Sequence, residues 1–297
     1  MTQTALVIGG SGFIGAATCR ALERRGVRPI VADVTAGAGS WEQHVIDTAQ
    51  ADEVHNLVAT LHPDAVVNLA FRLADACENN LDGAFRVNVL GSQNVIEACR
   101  RAGIARYVYA SSIAVYGDQS SWGDHALKEG DFGHPVRLYG WHKLLVEEIA
   151  ARYSEQGLSC AGLRISTVYG SGRRAGLSSA INALIDPPAE ASVIRCPWSM
   201  DEAFDLIHVD DVAESLCALA LTPMLDYAIY NSGGEYATVS SISATLHELR
   251  PDVSVKCDEP PGTLAHCSRI NWERLRALTK YERPSLEKRM SEAVTSG

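Results

Sequence analysis

The sequence predicts an α/β fold built on a parallel sheet, on three observations. An apolar run, Ala5-Leu6-Val7-Ile8, leads into the glycine-rich stretch Gly9-Gly10-Ser11-Gly12-Phe13-Ile14-Gly15, which opens a segment of helical character over 13–25. A second apolar run over 27–32 closes on Asp33. A third, over 64–70, has the continuous apolar character of a strand covered by helices on both faces.

The glycines stand at G-x-x-G-x-x-G spacing between strand and helix. Such a backbone turns tightly and brings its N–H groups to a pyrophosphate at the helix N-terminus. Phe13 and Ile14, between the second and third of these glycines, belong to the same turn. Asp33 follows eighteen residues after Gly15, where a carboxylate meets the hydroxyls of a ribose. Past a loop rich in Gly, Ala and Ser, a short strand over 44–46 ends at Asp47, placed either to reach an adenine amino group or to cap the next helix.

That helix covers 51–61, with Val54, Leu57, Val58 and Leu61 on one face. A long amphipathic helix is expected over 82–102, ended by Gly103. Asn88 and Asn94 within it read from the residues alone as partners of nearby backbone groups. The strand over 106–110 runs into Ser111-Ser112, and a helix covers 137–156. Further strands are expected over 159–164, 192–195, 204–209, 227–231 and 253–257. Helices fall over 176–186, from the capping-box pattern Asp211-x-x-Glu214 to Leu221, over 239–250 behind Thr238, and around 272–278 and from 285.

With 297 residues, 46% of them hydrophobic and 21% charged, the chain has the composition of a globular enzyme. A net charge of -10 without any basic block argues against nucleic acid or an anionic membrane as partner. No apolar run approaches the roughly eighteen residues of a membrane span, and the first strand starts too early for a secretory leader. Cys19, Cys77, Cys99, Cys160, Cys196, Cys217, Cys257 and Cys267 form no C-x-x-C pair, which reads as reduced cysteine in a cytoplasmic protein, with no disulfide framework and no metal site.

The chemistry rests on two stretches. Hydroxyls at the carboxyl end of a central parallel strand, here Ser111 and Ser112, point into the crevice where a ligand lies. Tyr139 and Lys143 stand four apart on one helix face, so the ammonium can favour ionisation of the phenol. A phenol with an ordinary pKa of about 10 is a poor base at neutrality; beside a fixed cation it becomes a workable one.

At this point the sequence resembles the extended short-chain dehydrogenase/reductase family of NAD-dependent epimerases, dehydratases and sugar dehydrogenases. The resemblance is carried by Gly9, Gly12 and Gly15, by Asp33, by Asn68-Leu69-Ala70 and Asn88, and by Ser111-Ser112 with Val115-Tyr116-Gly117. Pro135-x-x-x-Tyr139-Gly140-x-x-Lys143, Leu163-Arg164, Val168-Tyr169-Gly170 and the segment 207–213 extend it over nearly the whole chain. It implies a Rossmann-like doubly wound parallel sheet that binds NAD, made of 1–165 with 204–232. A smaller C-terminal α/β part, 166–203 with 233–297, would take the substrate.

The resemblance also makes Tyr139 the catalytic acid/base, Lys143 the residue that supports its ionisation and holds the nicotinamide ribose, and Ser112 the catalytic hydroxyl. It puts Leu69, Ala70, Asn88 and Val168 beside the cofactor. Helices 82–102 and 137–156 would pair with those of a second copy in a homodimer.

Two departures narrow the substrate. Family members that act on nucleotide sugars carry Asn and Arg where Thr167 and Phe204 stand, and a phenylalanine cannot neutralise a diphosphate. Ile113-Ala114 replace the acidic pair with which dehydratase members eliminate water. Arg173 and Arg174, in a loop, could meet a carboxylate or phosphate, and Trp198 lies in a loop expected near the substrate. The expected activity is hydride transfer between NAD and a secondary alcohol or ketone of a small sugar, sugar acid or polyol. An epimerase with retained NAD and a non-catalytic dinucleotide sensor are the alternatives.

Overall fold

The computed structural model describes residues 2–172, 178–261 and 264–296, so Arg173 and Arg174 lie outside the described residues. Strand β1 (Thr4–Ile8) passes through the glycine turn into α1 (Phe13–Arg24), followed by β2 (Arg28–Asp33) and β3 (Glu42–Val45). Helix α2 (Ala51–Leu61) leads to β4 (Ala65–Asn68), then to α3 (Ala74–Asn79), α4 (Leu81–Phe85) and α5 (Ser92–Ala102). Strand β5 (Arg106–Ser112), helix α6 (Leu138–Glu155) and β6 (Cys160–Ile165) come next. Beyond them lie β7 (Thr167–Tyr169), α7 (Ser178–Ile185), β8 (Val193–Cys196), β9 (Ala203–His208) and α8 (Val209–Leu221). The chain finishes with β10 (Ile229–Asn231), β11 (Glu235–Thr238), α9 (Val239–Leu249), β12 (Ser254–Cys257), α10 (Glu273–Leu278) and α11 (Leu286–Ser296).

Seven strands form one sheet in the order β10-β6-β5-β4-β1-β2-β3, every neighbouring pair parallel. The order reverses between β1 and β4, and ligands bind beyond the carboxyl ends of the strands at such a point. The alternation of side chains explains why β1 is apolar throughout. Ala5 and Val7 lie in one apolar layer with Ala17 and Leu22 of α1 and Leu216 of α8. Leu6 and Ile8 lie in the opposite layer with Val54 and Val58 of α2 and Val95 and Ile96 of α5.

A smaller sheet sets β9 between parallel β7 and antiparallel β11, and β12 pairs with β8. Phe204 and Leu206 of β9 share a third apolar layer with Ile181, Ile194, Leu246 and Met290. Within 204–232, therefore, β9 joins the smaller sheet while α8 and β10 serve the large one. All eight cysteines are unbridged and seven are buried. Among the described residues no helix is long and apolar enough to cross a membrane.

The structure departs from the sequence expectations in four places. The helix over 82–102 is broken: α4 passes through a π-helical turn, Arg86–Gly91, before α5 begins at Ser92. Asn88, fully buried in that turn, accepts from Arg72 N–H at 2.7 Å and donates to Arg72 O at 3.2 Å, and a widened turn accommodates such an inward polar side chain. Helix α8 starts at Val209 with His208 as its cap, accepting from the Asp210 N–H at 3.2 Å, and not at the Asp211/Glu214 pattern. Those two carboxylates are drawn to arginines on other helices, Asp211 to Arg289 at 3.2 Å and Glu214 to Arg24 at 2.9 Å. Asp47 closes a turn onto Ala49 N–H at 3.0 Å, one turn ahead of Gln50, which is the N-cap of α2. Strands β7 and β11 and helix α3 are not among the expected elements; β7 is held by its ladder to β9, as is β11, which is half exposed.

Candidate active site

A cavity of about 570 Å³ opens at the carboxyl ends of β1, β4 and β5. One wall is the glycine turn. Gly9 adopts φ 79° and any Cβ there would stand 2.9 Å from Ala70 N, while a Cβ at Gly15 would overlap the Gly9 carbonyl oxygen. These two glycines let loop and helix pack closely. Gly12 differs. A Cβ on it would meet only Gly9 O, at 3.2 Å, so its outer side faces open space on the cavity wall. Gly12 is also the N-cap of α1, and no side chain caps that helix. The arrangement leaves the positive end of α1 directed at the cavity, as an anion site requires.

Asp33, at the end of β2, accepts from Ser11 N–H at 3.0 Å and Val34 N–H at 2.8 Å. It is thereby fixed beside the glycine turn with lone pairs to spare. Ser166 also lines the cavity, but its Oγ has no exposed surface there and is turned to the neighbouring Asp205 carboxyl. The open face of Gly12 beside the α1 N-terminus is a feature that a ligand's phosphate satisfies.

Ser112, Tyr139 and Lys143 line the same cavity. Strand β5 carries Ser112 to its carboxyl end, where Oγ accepts from Ala114 N–H at 3.2 Å. Helix α6 presents Tyr139 and Lys143 one turn apart. Close approach of this helix to the β5 end depends on Gly140, where a Cβ would stand 2.6 Å from Ala114 O. Phe71 meets the Tyr139 ring edge to face, with centroids 5.5 Å apart. Lys143 Nζ donates to Ala110 O at 2.5 Å and lies 3.4 Å from the Phe71 centroid and 5.5 Å from that of Tyr139. Burial pushes the Lys143 ammonium down to about 7, against the opposing pull of Glu147.

Glu147, one turn beyond Lys143, anchors this region. It forms a buried pair with Arg164 of β6 at 2.7 Å and accepts from Ser111 Oγ. Arg164 donates in turn to Tyr116 Oη at 2.8 Å, and Tyr116 donates to Asn231 at 2.7 Å. The network ties α6 to the ends of β5, β6 and β10. Below Ser166 lies Asp205 of β9, itself buried with one oxygen unpartnered. Burial pushes its carboxyl up to about 7, against the neighbouring Ser166 hydroxyl and Arg283.

Of the residues singled out from sequence, Leu69, Thr167, Val168 and Phe204 line the cavity along with the glycine turn, Phe13 and Ile14. Asn88 and Ala70 stand behind the wall: Asn88 holds the backbone of the 69–72 loop, and Ala70 packs on Gly9. Trp198 is buried away from the cavity against Phe204, with ring centroids 5.1 Å apart. Sequence reasoning missed Phe71, Asp75, Arg137, Ser166 and His266 on the cavity wall. His266 stacks on Phe204 at 4.8 Å and bonds Ala203 O at 2.8 Å, a placement set by the returning C-terminal chain and without local signal. Among the described residues no group of three or more His, Cys, Asp or Glu side chains is placed to hold a metal ion.

A parallel sheet with a glycine turn at its switch point and a Tyr/Lys helix facing that turn defines a dinucleotide-binding α/β protein. The model of the NAD dependent epimerase/dehydratase family matches residues 5–233, and the chain belongs to that family, whose cofactor is NAD. It is similar to a UDP-glucose 4-epimerase of Rhizobium leguminosarum bv. trifolii, 32% identical over 166 residues. That match takes in 52% of this chain and 48% of the relative, so it spans about half the relative's length. Among solved structures it resembles the Thermus thermophilus UDP-glucose 4-epimerase in complex with NAD, with TM-score 0.84, 24% identity and coverage of 99% and 98% of the two chains. It also resembles a GalE-like L-threonine dehydrogenase from Cupriavidus necator in its holo form, with TM-score 0.87, 22% identity and coverage of 98% and 99%. These two likenesses are of fold.

Proposed function

We propose that the chain is an NAD-dependent dehydrogenase or reductase acting on a secondary alcohol or ketone of a small sugar, sugar acid or polyol. The observation that carries this reading is that Ser112, Tyr139 and Lys143 share one cavity with the glycine turn. In this reading Gly9, Gly12 and Gly15, with Phe13 and Ile14, hold the pyrophosphate. Asp33 takes the adenosine ribose, Asp47 the adenine edge, and Leu69, Ala70 and Val168 wall the remainder, with Asn88 fixing the 69–72 loop. When bound, NAD supplies the hydride acceptor or donor at its nicotinamide ring.

The protein's own part is proton transfer and positioning. The Ser112 hydroxyl orients the substrate oxygen; the Tyr139 phenolate accepts its proton as the alcohol is oxidised, and the Tyr139 phenol donates one as the ketone is reduced. Lys143, held by Ala110 O and the Phe71 face, places a positive charge beside that phenolate. Thr167 and Phe204 bring no cation to the substrate end, and Phe204 is stacked under His266, which supports a substrate without a diphosphate.

The second reading is an epimerase that oxidises and re-reduces one carbon with NAD retained, favoured by the 32% identical relative described as a UDP-glucose 4-epimerase. A non-catalytic sensor has no use for a complete Ser/Tyr/Lys set. Following the absorbance of reduced nicotinamide over free sugars, sugar acids, polyols and nucleotide sugars separates these readings. Net reduced cofactor supports the dehydrogenase; an isomeric product without net change supports the epimerase; turnover of nothing in the panel supports the sensor.

We further propose a homodimer paired through α4 to α6, supported by the exposed Leu81, Phe85, Leu90, Trp141 and Leu145 on these helices and the π turn. A reducing cytoplasmic setting is supported by eight unbridged cysteines. A cofactor part of 1–165 with 204–232 and a substrate part of 166–203 with 233–297 remains the proposed division, with β9 shared between them through its place in the smaller sheet.

A further inference from the structure

Arg137 is the N-cap of α6, two residues before Tyr139, with extended backbone at φ -110° and ψ 154°. Ser, Thr, Asp and Asn are favoured there because their oxygens accept from the first helical N–H groups, and a guanidinium has no acceptor to offer. Helix α6 takes its acceptor from elsewhere: Glu78 of α3 receives the Leu138 N–H at 3.3 Å. Capping therefore does not explain an arginine at this position. Its side chain lies on the cavity wall, paired with Asp75 at 3.0 Å and with Glu78 at 3.8 Å. Among the described residues of that wall the lysine and arginine cations are Lys143, committed to Ala110 O, and Arg137.

We propose that Arg137 recognises a carboxylate on the substrate, which makes the substrate a small hydroxy or keto acid of the sugar-acid type; this rests on the oxidoreductase reading above. The planar guanidinium matches a carboxylate through two parallel hydrogen bonds, whereas one such group is a poor match for a diphosphate. Leu73 and Val136, exposed at the cavity mouth beside Phe71, would be covered by a bound substrate, and an ion pair formed beneath it is then less solvated. Asp75 holds the guanidinium in the meantime. Its side chain is 68% exposed, and an exposed pair of this kind contributes little, so a substrate carboxylate can replace it.

The test measures binding, independently of turnover. The full-length enzyme loaded with NADH is titrated calorimetrically with gluconate against sorbitol, glucuronate against glucose, and lactate against 1,2-propanediol, each pair differing in a carboxylate. The expected result is that at least one acid binds about tenfold or more tightly than its neutral counterpart, the scale of one charge-assisted hydrogen-bonded contact. Arg137→Gln removes that preference, and Asp75→Asn, which leaves the guanidinium only its longer contact with Glu78, tightens binding of the acid. No preference in any pair, a preference that survives in Arg137→Gln, or weaker acid binding in Asp75→Asn overturns the proposal. Asp75→Asn decides alone if Arg137→Gln fails to fold. Turnover of neutral alcohols by an enzyme without acid preference would sink the carboxylate assignment and leave the oxidoreductase reading standing.

Discussion

Lys143 holds its ammonium 3.4 Å from the centroid of the Phe71 ring. Phe71 comes from the loop after β4 and Lys143 from α6, so this contact ties the β4 loop to that helix on one side of the sheet's switch point. The ring face attracts the cation and at the same time strips it of water. Burial accordingly pushes the ammonium down to about 7, with Glu147 opposing. The charge proposed to support Tyr139 is thus held in a poorly solvated place.

A pH dependence of stability follows. An amine whose folded pKa lies near 7, well below the 10.5 of the unfolded chain, binds fewer protons when folded throughout that interval. Its burden on stability is full below about 7 and is relieved as pH rises toward 10.5. Lys143→Met removes the burden. Urea unfolding of wild type and variant without ligand should show the variant gaining more at pH 6 than at pH 9.5; a difference independent of pH contradicts the assignment.

The buried Arg164–Glu147 pair yields a second prediction. Removing one partner leaves an uncompensated buried charge, so Arg164→Met should destabilise the fold by about 3–5 kcal/mol. The double variant Arg164→Met with Glu147→Leu should recover much of that loss. Denaturant midpoints with unchanged m-values would measure both, and a single variant as stable as wild type would remove the network from the account.

Asp33 bears on the choice of cofactor. Anchored by Ser11 and Val34 N–H groups beside the glycine turn, its carboxylate would, in the proposed reading, repel a 2′-phosphate. Asp33→Ser should shift the ratio of kcat/KM for NAD over NADP toward NADP by roughly tenfold or more, as removal of a like-charge clash does. An unchanged ratio would place the ribose elsewhere.

What could be read from sequence was local. The glycine spacing after β1, the Tyr139/Lys143 interval and the apolar runs of the central strands depend on neighbours within a few residues, and the structure puts these stretches around one cavity. Long-range packing was not legible. Trp198 read as a substrate loop residue, but β9 brings Phe204 against it and buries it. The π turn at 86–91 is invisible to periodicity because the inward demand comes from Asn88 bonding Arg72, sixteen residues away. Arg137 did carry a signal, a residue unable to cap at the start of a helix, and it passed unread beside the Tyr/Lys pair. His266 reaches the wall only through the C-terminal return.

The central claim is that Tyr139 moves the proton in an NAD-dependent redox step while the glycine turn holds the cofactor. Substituting Tyr139→Phe, then measuring substrate turnover and NADH binding on the same preparation, tests it most directly. Turnover should fall by at least about a hundredfold, the lower scale of general acid–base catalysis, with NADH affinity within a few-fold of wild type. Turnover near the wild-type rate with the cofactor still bound would contradict it.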